Sequence, residues 1–563
     1  MKTTPLINVE KLQMTVGDTL LVKGISFTLE ANKITALVGA SGSGKSLTAQ
    51  SLLGIQSPKI KVASKKMEFQ GIPLPGDNTN AWEQLRGYSM GMIFQEPQSS
   101  LNPSMRCGQQ VLEALLIHQT ISKQVAKTKV LQAFEDVQLP QPERIYNAYP
   151  HEISGGQKQR VMIALALINT PDLLIADEPT TALDVTVQKE IVLLLKQLQQ
   201  KHQMGILFIS HDLALVQHFA DTVMVMQEGE IVEQGAVKNV FSSPQHPYTK
   251  GLIHARPPVD KRPKRLTTIA DYMANTVNEK WITKKEREQK HQHLYQQTPL
   301  LQVEALRKVY SRKRLFWQKP ESFTAVHPLH FEIYPGETLG LVGESGCGKS
   351  TLARALVYLD PPTEGNVFFE NRALHHMSAK ALMRERKNIQ YIFQNPYAAL
   401  HPKKTLGKSI AEVLRHHKIT QGEQQTQERV TALLDRVGLS AAFVPRYPHE
   451  LSGGQRQRAV IARALATHPS LIICDEAVAA LDISVQAQVI NLLKDLQQEF
   501  QLAYLFISHD LTLVKYVSDR VMVMHNGRVE ELQEADQLYS DPKSNYTKKL
   551  IAADPVRLHR RIG

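Results

Sequence analysis

Short apolar runs punctuate the chain: KITALVG at 33–39, DLLIAD at 172–177 and MGILFIS at 204–210. Each is too continuous for a strand with one wet face and too short for a buried helix, so each reads as a strand covered on both sides. The run at 33–39 ends in glycine and leads into a helical pattern, and DLLIAD ends in a carboxylate. Strands alternating with helices predict an α/β fold with a mainly parallel sheet. All three runs return later, as ETLGLVG at 337–343, SLIICD at 470–475 and LAYLFIS at 502–508.

The recurrence extends to whole blocks. GASGSGKS at 39–46 returns as GESGCGKS at 343–350, an offset of 304 (349 − 45). MIFQEPQSSLNP at 92–103 returns as YIFQNPYAALHP at 391–402, and YPHEISGGQKQR at 149–160 as YPHELSGGQRQR at 447–458. LFISHDL stands at both 207–213 and 505–511. A period near 300 residues is too long for a solenoid repeat and means two copies of one domain. We place them at 1–255 and 300–563, joined by a basic linker at 256–299 with a short helix around 279–295. A chain of 563 residues is also too long for one core.

Charge sharpens this division. Lys+Arg exceed Asp+Glu by 66 − 54 = 12 over the chain, and by 16 − 6 = 10 between Arg256 and Pro320 alone. Basicity is therefore local to this stretch and does not describe the whole surface. The stretch reads either as a solvated tether or as a contact for anionic lipid headgroups, with Lys261, Arg262, Lys264 and Arg265 as the leading cations and Arg312 to Trp317 adding aromatics. Nothing in the pattern supports nucleic-acid binding. No apolar run approaches the roughly 20 residues of a membrane helix, and MKTTPLINVEKL has no secretory h-region. The three cysteines, Cys107, Cys347 and Cys474, make no metal spacing and fit a reducing compartment.

GASGSGKS and GESGCGKS both fit G-x-x-x-x-G-K-[ST], in which backbone N–H groups cradle phosphate at a helix N-terminus. Lys45 and Lys349 are expected at the β- and γ-phosphates, and Ser46 and Ser350 on Mg²⁺. Asp177 and Asp475 end apolar strands, where a carboxylate can meet the metal, and Glu178 and Glu476 follow, placed for the attacking water. Such residues supply the positioning and charge neutralisation that phosphoryl transfer needs.

SGGQ at 154–157 and 452–455 opens an amphipathic helix in each copy. With the phosphate loops and Asp–Glu pairs, it resembles the signature of ATP-binding-cassette (ABC) ATPases. The resemblance covers nearly all of both copies and implies two P-loop NTPase domains, each with a mainly parallel sheet, an antiparallel β part and a helical subdomain. It also implies catalytic roles for Gln95 and Gln394, which precede a loop, and for the switch histidines His211 and His509. Asp184 and Asp482 occupy the LD turn. ATP contacts are implied for Gly39, Ser41, Gly42, Gly44, Lys45, Ser46 and Leu47, and for Gly343, Ser345, Gly346, Gly348, Lys349, Ser350 and Thr351. Cassettes of the family pair head to tail, so Ser154, Gly156 and Gln157, like Ser452, Gly454 and Gln455, are expected at the other copy's nucleotide. Mg²⁺ ligands by the same resemblance are Ser46, Gln95 and Asp177, and Ser350, Gln394 and Asp475. By itself SGGQ also suits a plain helix N-cap.

FQEPQSSLNP and FQNPYAALHP, LDVTVQ and LDISVQ, and HPYTKGL (246–252) and SNYTKKL (544–550) resemble importers of oligopeptides, dipeptides, nickel and glutathione. That resemblance implies an ATP-hydrolysing importer subunit on the cytoplasmic face of the bacterial inner membrane. Its partners would be two membrane-spanning permeases and an extracytoplasmic binding protein. The alternative is a soluble twin-cassette ATPase acting on ribosomes, whose usual DEPTNHLD-like signature is absent here.

Val16 and DEAVAALD depart from the family pattern, and Cys347 sets the two phosphate loops apart. Tyr310 suits adenine stacking in the second copy, whereas the first offers Val16. DEAVAALD replaces the proline-containing form found as DEPTTALD in the first copy. Cys347 stands where the first loop has Ser43. It reads either as a small side chain filling that slot among glycines or, beside Lys349 and a helix N-terminus, as a thiol with a lowered pKa.

Overall fold

The computed structural model describes residues 5–76, 78–95, 100–180, 185–258, 260–277, 280–312, 321–478 and 481–553. They fall into two compact units. One comprises the described residues within Met1–Leu183, Val187–Ile253 and Ile269–Thr276, the other those within Asp184–Thr186, His254–Thr268 and Val277–Gly563.

In the first unit a six-stranded sheet runs Glu230–Ala236, Thr222–Gln227, Ile34–Val38, Gly205–Ile209, Leu173–Asp177, Met90–Ile93. All neighbours are parallel except the edge pair Glu230–Ala236 and Thr222–Gln227. Every residue of Ile34–Val38, Leu173–Asp177 and Gly205–Ile209 is buried, as continuous apolar runs require of central parallel strands. A second sheet is antiparallel: Ile7–Val16 pairs with Thr19–Leu29, Ile60–Ala63 and Lys66–Phe69. Helices Cys107–His118, Lys123–Asp136, Pro142–Asn147 and Gly155–Leu167 form the helical part, packing Val111, Val130, Phe134 and Ile163 into the core.

The second unit repeats this plan. Its parallel sheet runs Ile389–Ile392, Leu471–Asp475, Ala503–Ile507, Thr338–Val342, Arg520–His525, with Arg528–Glu534 as the antiparallel edge. Leu301–Arg312 pairs antiparallel with Glu321–Ile333 and Glu364–Phe369. Its helical part contains Leu406–His416, Glu423–Arg436 and Gly453–Leu465.

The 256–299 stretch departs from a solvated tether. It holds a helix at Lys284–Leu294, started by a Thr283–Glu286 capping box, and much of it straps the second unit. Arg262 donates to the carbonyls of Tyr516 and Ser518 at 2.6 and 3.2 Å and to Asp536 at 3.0 Å. Arg287 donates to Glu534 at 2.6 Å and to the Ser518 and Asp519 carbonyls. Lys290 and His291 reach the buried Asp519 at 2.7 and 3.2 Å. Burial alone would raise the Asp519 carboxyl, yet Lys290, His291 and the Thr338 N–H hold it far below the usual carboxylate range. Lys264 pairs with Glu286, Arg265 with Asp495, and Lys261 lies over the Trp281 ring at 5.4 Å. Of the four cations expected at lipid headgroups, Arg262 is largely buried in these contacts, whereas Lys261, Lys264 and Arg265 keep exposed side chains beside their partners. The aromatic end of the proposed lipid contact, 313–320, lies outside the described residues.

Candidate functional site

Each phosphate loop joins a buried strand to a short helix. Gly44 and Gly348 sit at the helix starts with φ of 103° and 107°. A Cβ at Gly348 would also come within 2.5 Å of the Ala325 carbonyl, so only glycine fits there. Gly42 and Gly346 have nothing within 4 Å of a would-be Cβ, and with Ser41 and Ser345 they form the exposed, open side of the loop. Lys45 Nζ donates to the carbonyls of Gly39 and Ala40 at 3.0 and 2.9 Å, and Lys349 Nζ to those of Gly343 and Glu344, both at 2.8 Å. Leu47 and Thr351 follow on the helices, half-buried.

Sheet order brings the acidic strand ends to these loops. Ser46 Oγ donates to Asp177 Oδ1 at 3.1 Å, and Ser350 Oγ to Asp475 Oδ1 at 3.0 Å. Hydroxyl and carboxylate oxygens are the hard donors that Mg²⁺ takes. The residues present therefore fit a magnesium nucleotide. Burial pushes the Asp177 carboxyl up to about 6, against the Ser46 hydrogen bond.

Glu178 and Glu476 are met by the expected partners. Gln95 Nε2 donates to Glu178 Oε2 at 3.0 Å, and His211 Nδ1 lies 3.3 Å from the same oxygen. Gln394 Nε2 donates to Glu476 Oε2 at 2.6 Å, with His509 Nδ1 3.9 Å from Oε1. The glutamines, expected on the metal, thus engage the glutamates through their amide nitrogens. Burial alone would raise Glu476, but His509, Lys349 and Gln394 hold it below its ordinary value. Both glutamates have left-handed backbones, φ 47° and 50°. Their N–H groups are tied to the Ile209 and Ile507 carbonyls at 3.0 Å. Such strain in a non-glycine residue persists only where the surroundings enforce it, and here it aims the carboxylate.

The signature helices begin with capping boxes. Ser154 Oγ accepts from Gln157 N–H at 3.3 Å while Gln157 Oε1 accepts from Ser154 N–H at 3.0 Å; Ser452 and Gln455 repeat both distances. Gly156 and Gly454 lie in the first turns, and a Cβ at Gly454 would meet Val485 Cγ1 at 2.2 Å. Asp482 caps the helix Ile483–Phe500 without a side-chain bond, whereas Asp184 and residues 479–480 of DEAVAALD lie outside the described residues. Val16 and Tyr310 hold the same register, each 9 residues after the residue that opens its strand, Ile7 or Leu301 (16 − 7 = 310 − 301). Both side chains are exposed, and the Tyr310 hydroxyl donates to Asp360.

One finding lies beyond the sequence reading, and one corrects it. Tyr391 donates to Asp475 Oδ2 at 2.6 Å, a bond that Met92, at the matching place in the first unit, cannot make. The lowered thiol pKa expected at Cys347 is overturned: the residue is 6% exposed and its thiol is pushed up, burial outweighing the Lys349 charge.

Residues 22–181 and 326–479 match the ABC transporter family, and residues 232–280 match the C-terminal region of oligopeptide/dipeptide transporters. The chain is 43% identical over 552 residues to the glutathione import ATP-binding protein GsiA of Escherichia coli (strain K12), covering 95% of this chain and 86% of that protein. The protein of the same name from Pectobacterium atrosepticum is 41% identical over 547 residues, with the same coverage. These likenesses favour the importer reading and set the ribosome-acting alternative aside. The chain is an ATPase and belongs to the ABC transporter family, as an ATP-binding protein of the oligopeptide/dipeptide type with two cassettes on one chain.

Proposed function

We propose that the chain is the energising subunit of an importer of glutathione-like small peptides, working with separate permeases and an extracytoplasmic binding protein at the inner face of the membrane. The observation that carries this is the likeness to glutathione import ATP-binding proteins over 95% of the chain. No helix among the described residues is long and apolar enough to cross a membrane.

In this reading Lys45 and Lys349 leave their loop carbonyls for the phosphates. Ser46 with Asp177, and Ser350 with Asp475, would hold Mg²⁺. When bound, Mg²⁺ offsets charge on the phosphate oxygens. Glu178 and Glu476 orient the attacking water, steadied by Gln95 with His211 and by Gln394 with His509. Ser154, Gly156 and Gln157, with their counterparts Ser452, Gly454 and Gln455, add helix-start donors for a γ-phosphate.

Glu178→Gln with Glu476→Gln should retain MgATP binding and lose turnover, because those carboxylates act on water. Near-parental ATPase in the double variant would remove them from the mechanism. In cells lacking the chain, uptake of labelled glutathione or dipeptides should fall and return with the parent but not with the double variant. Unchanged uptake without the chain would refute the substrate assignment.

A further inference from the structure

The tail of each unit carries a tyrosine that the chemistry above leaves unused. Tyr248 of HPYTKGL and Tyr546 of SNYTKKL lie on the helices Pro247–His254 and Asn545–Ala552. The Tyr248 hydroxyl accepts from the Ala40 N–H at 2.8 Å, and the Tyr546 hydroxyl from the Glu344 N–H at 3.3 Å. These are the residues just after the first glycine of each phosphate loop. Their carbonyls accept from Lys45 and Lys349 at 2.9 and 2.8 Å. In both units, then, one loop residue is gripped through its N–H by the tail and through its C=O by the loop lysine.

The tails are anchored by a repeated device as well. Glu233, on the edge strand Glu230–Ala236, accepts from the N–H groups of Gln245 and His246 at 2.9 and 3.1 Å. Glu531, on Arg528–Glu534, accepts from those of Lys543 and Ser544 at the same two distances. QHP precedes Tyr248 where KSN precedes Tyr546, yet the anchor and the loop contact are both retained. Agreement between copies of differing local sequence points to a shared task.

We propose that Tyr248 and Tyr546 are positioning residues of the two ATP sites. Each holds its phosphate loop in the accepting shape when the lysine turns from the loop carbonyls to the nucleotide. The inference rests on the reading of these loops as ATP sites. It gives the tail region a role in nucleotide binding. The lysine's grip and the nucleotide's demand compete for the same ammonium, whereas the tyrosine's grip does not. Losing one such hydrogen bond changes an equilibrium constant by about 2- to 10-fold.

The test is steady-state ATPase of the full chain against MgATP concentration. Tyr248→Phe with Tyr546→Phe keeps both rings and removes both hydroxyls. The expected result is a KM raised about 3- to 10-fold with kcat within about twofold of the parent. Among single variants the shorter bond predicts the larger effect for Tyr248→Phe. Glu233→Gln, which loosens the tail and leaves the hydroxyl in place, should move KM in the same direction. A double variant with parental KM overturns the proposal, and so does a loss confined to kcat. Lys45→Ala with Lys349→Ala separates the two levels. If that variant binds ATP as tightly as the parent, the lysines do not meet the nucleotide and the reading of the loops as ATP sites fails. If it fails to bind while the tyrosine variants match the parent, only the positioning role is refuted.

Discussion

At Cys347 two effects compete, and their sizes decide the outcome. A neighbouring ammonium favours the thiolate, but a side chain 6% exposed loses more in desolvation, and the thiol is pushed up. Alkylation of Cys347 at mildly alkaline pH should therefore be much slower than that of a free thiol. Cys347→Ser should keep ATP turnover; rapid labelling that MgATP blocks would contradict this. Gly454 offers a second residue-level test. Alanine there would drive a methyl into Val485, whereas at Gly453 the nearest atom to such a methyl is 3.6 Å away. Gly454→Ala should cost about 1–3 kcal/mol in thermal unfolding, and Gly453→Ala much less. Lys45, Ser46, Asp177 and Glu178 were legible because the phosphate loop and the strand end are short, local patterns. The Tyr391–Asp475 bond was not: it joins residues 84 apart, through a strand pairing that no local spacing reveals.

The helices beginning at Gly155 and Gly453 put one serine to two uses. Its hydroxyl caps the helix, and the same helix start is the proposed γ-phosphate contact. Ser154→Ala should lower stability by about 1 kcal/mol through the cap, besides any loss of ATPase. The strap helix Lys284–Leu294 is likewise a charge device. Removing one partner from a buried ion pair costs about 3–5 kcal/mol, so Asp519→Asn should destabilise the second unit by that order at neutral pH. The sign with pH follows from the depressed Asp519 carboxyl. Its contribution is fully present above the unfolded value of about 4 and is lost as pH falls below it. The stability gap between parent and Asp519→Asn should thus close in acid; a gap that widened there would refute the pairing.

Over the whole molecule, the duplication was plain in the sequence, because two copies repeat the same blocks at nearly one offset. The allegiance of the linker was not. Its composition reads as a tether, yet Arg262 finds its carbonyl at Tyr516, 254 residues away, and neither charge nor proline content foretells so distant a partner. A chain trimmed to begin at residue 300 should accordingly melt lower than one beginning at 254, since it leaves Asp519 buried without Lys290 and His291; equal melting would show that the strap adds nothing. The strap has an optical consequence. Of three tryptophans, Trp82 is buried in the first unit, its Nε1–H on the Gly76 carbonyl at 2.7 Å, and Trp281 lies in the strap beneath Lys261. With Trp317→Phe, the intrinsic emission of the unlabelled chain would come from one indole in each unit. A red shift from Trp281 would then mark the strap's release, and one from Trp82 the melting of the first cassette, so the order in which the two halves come apart would be visible as a sequence of colours.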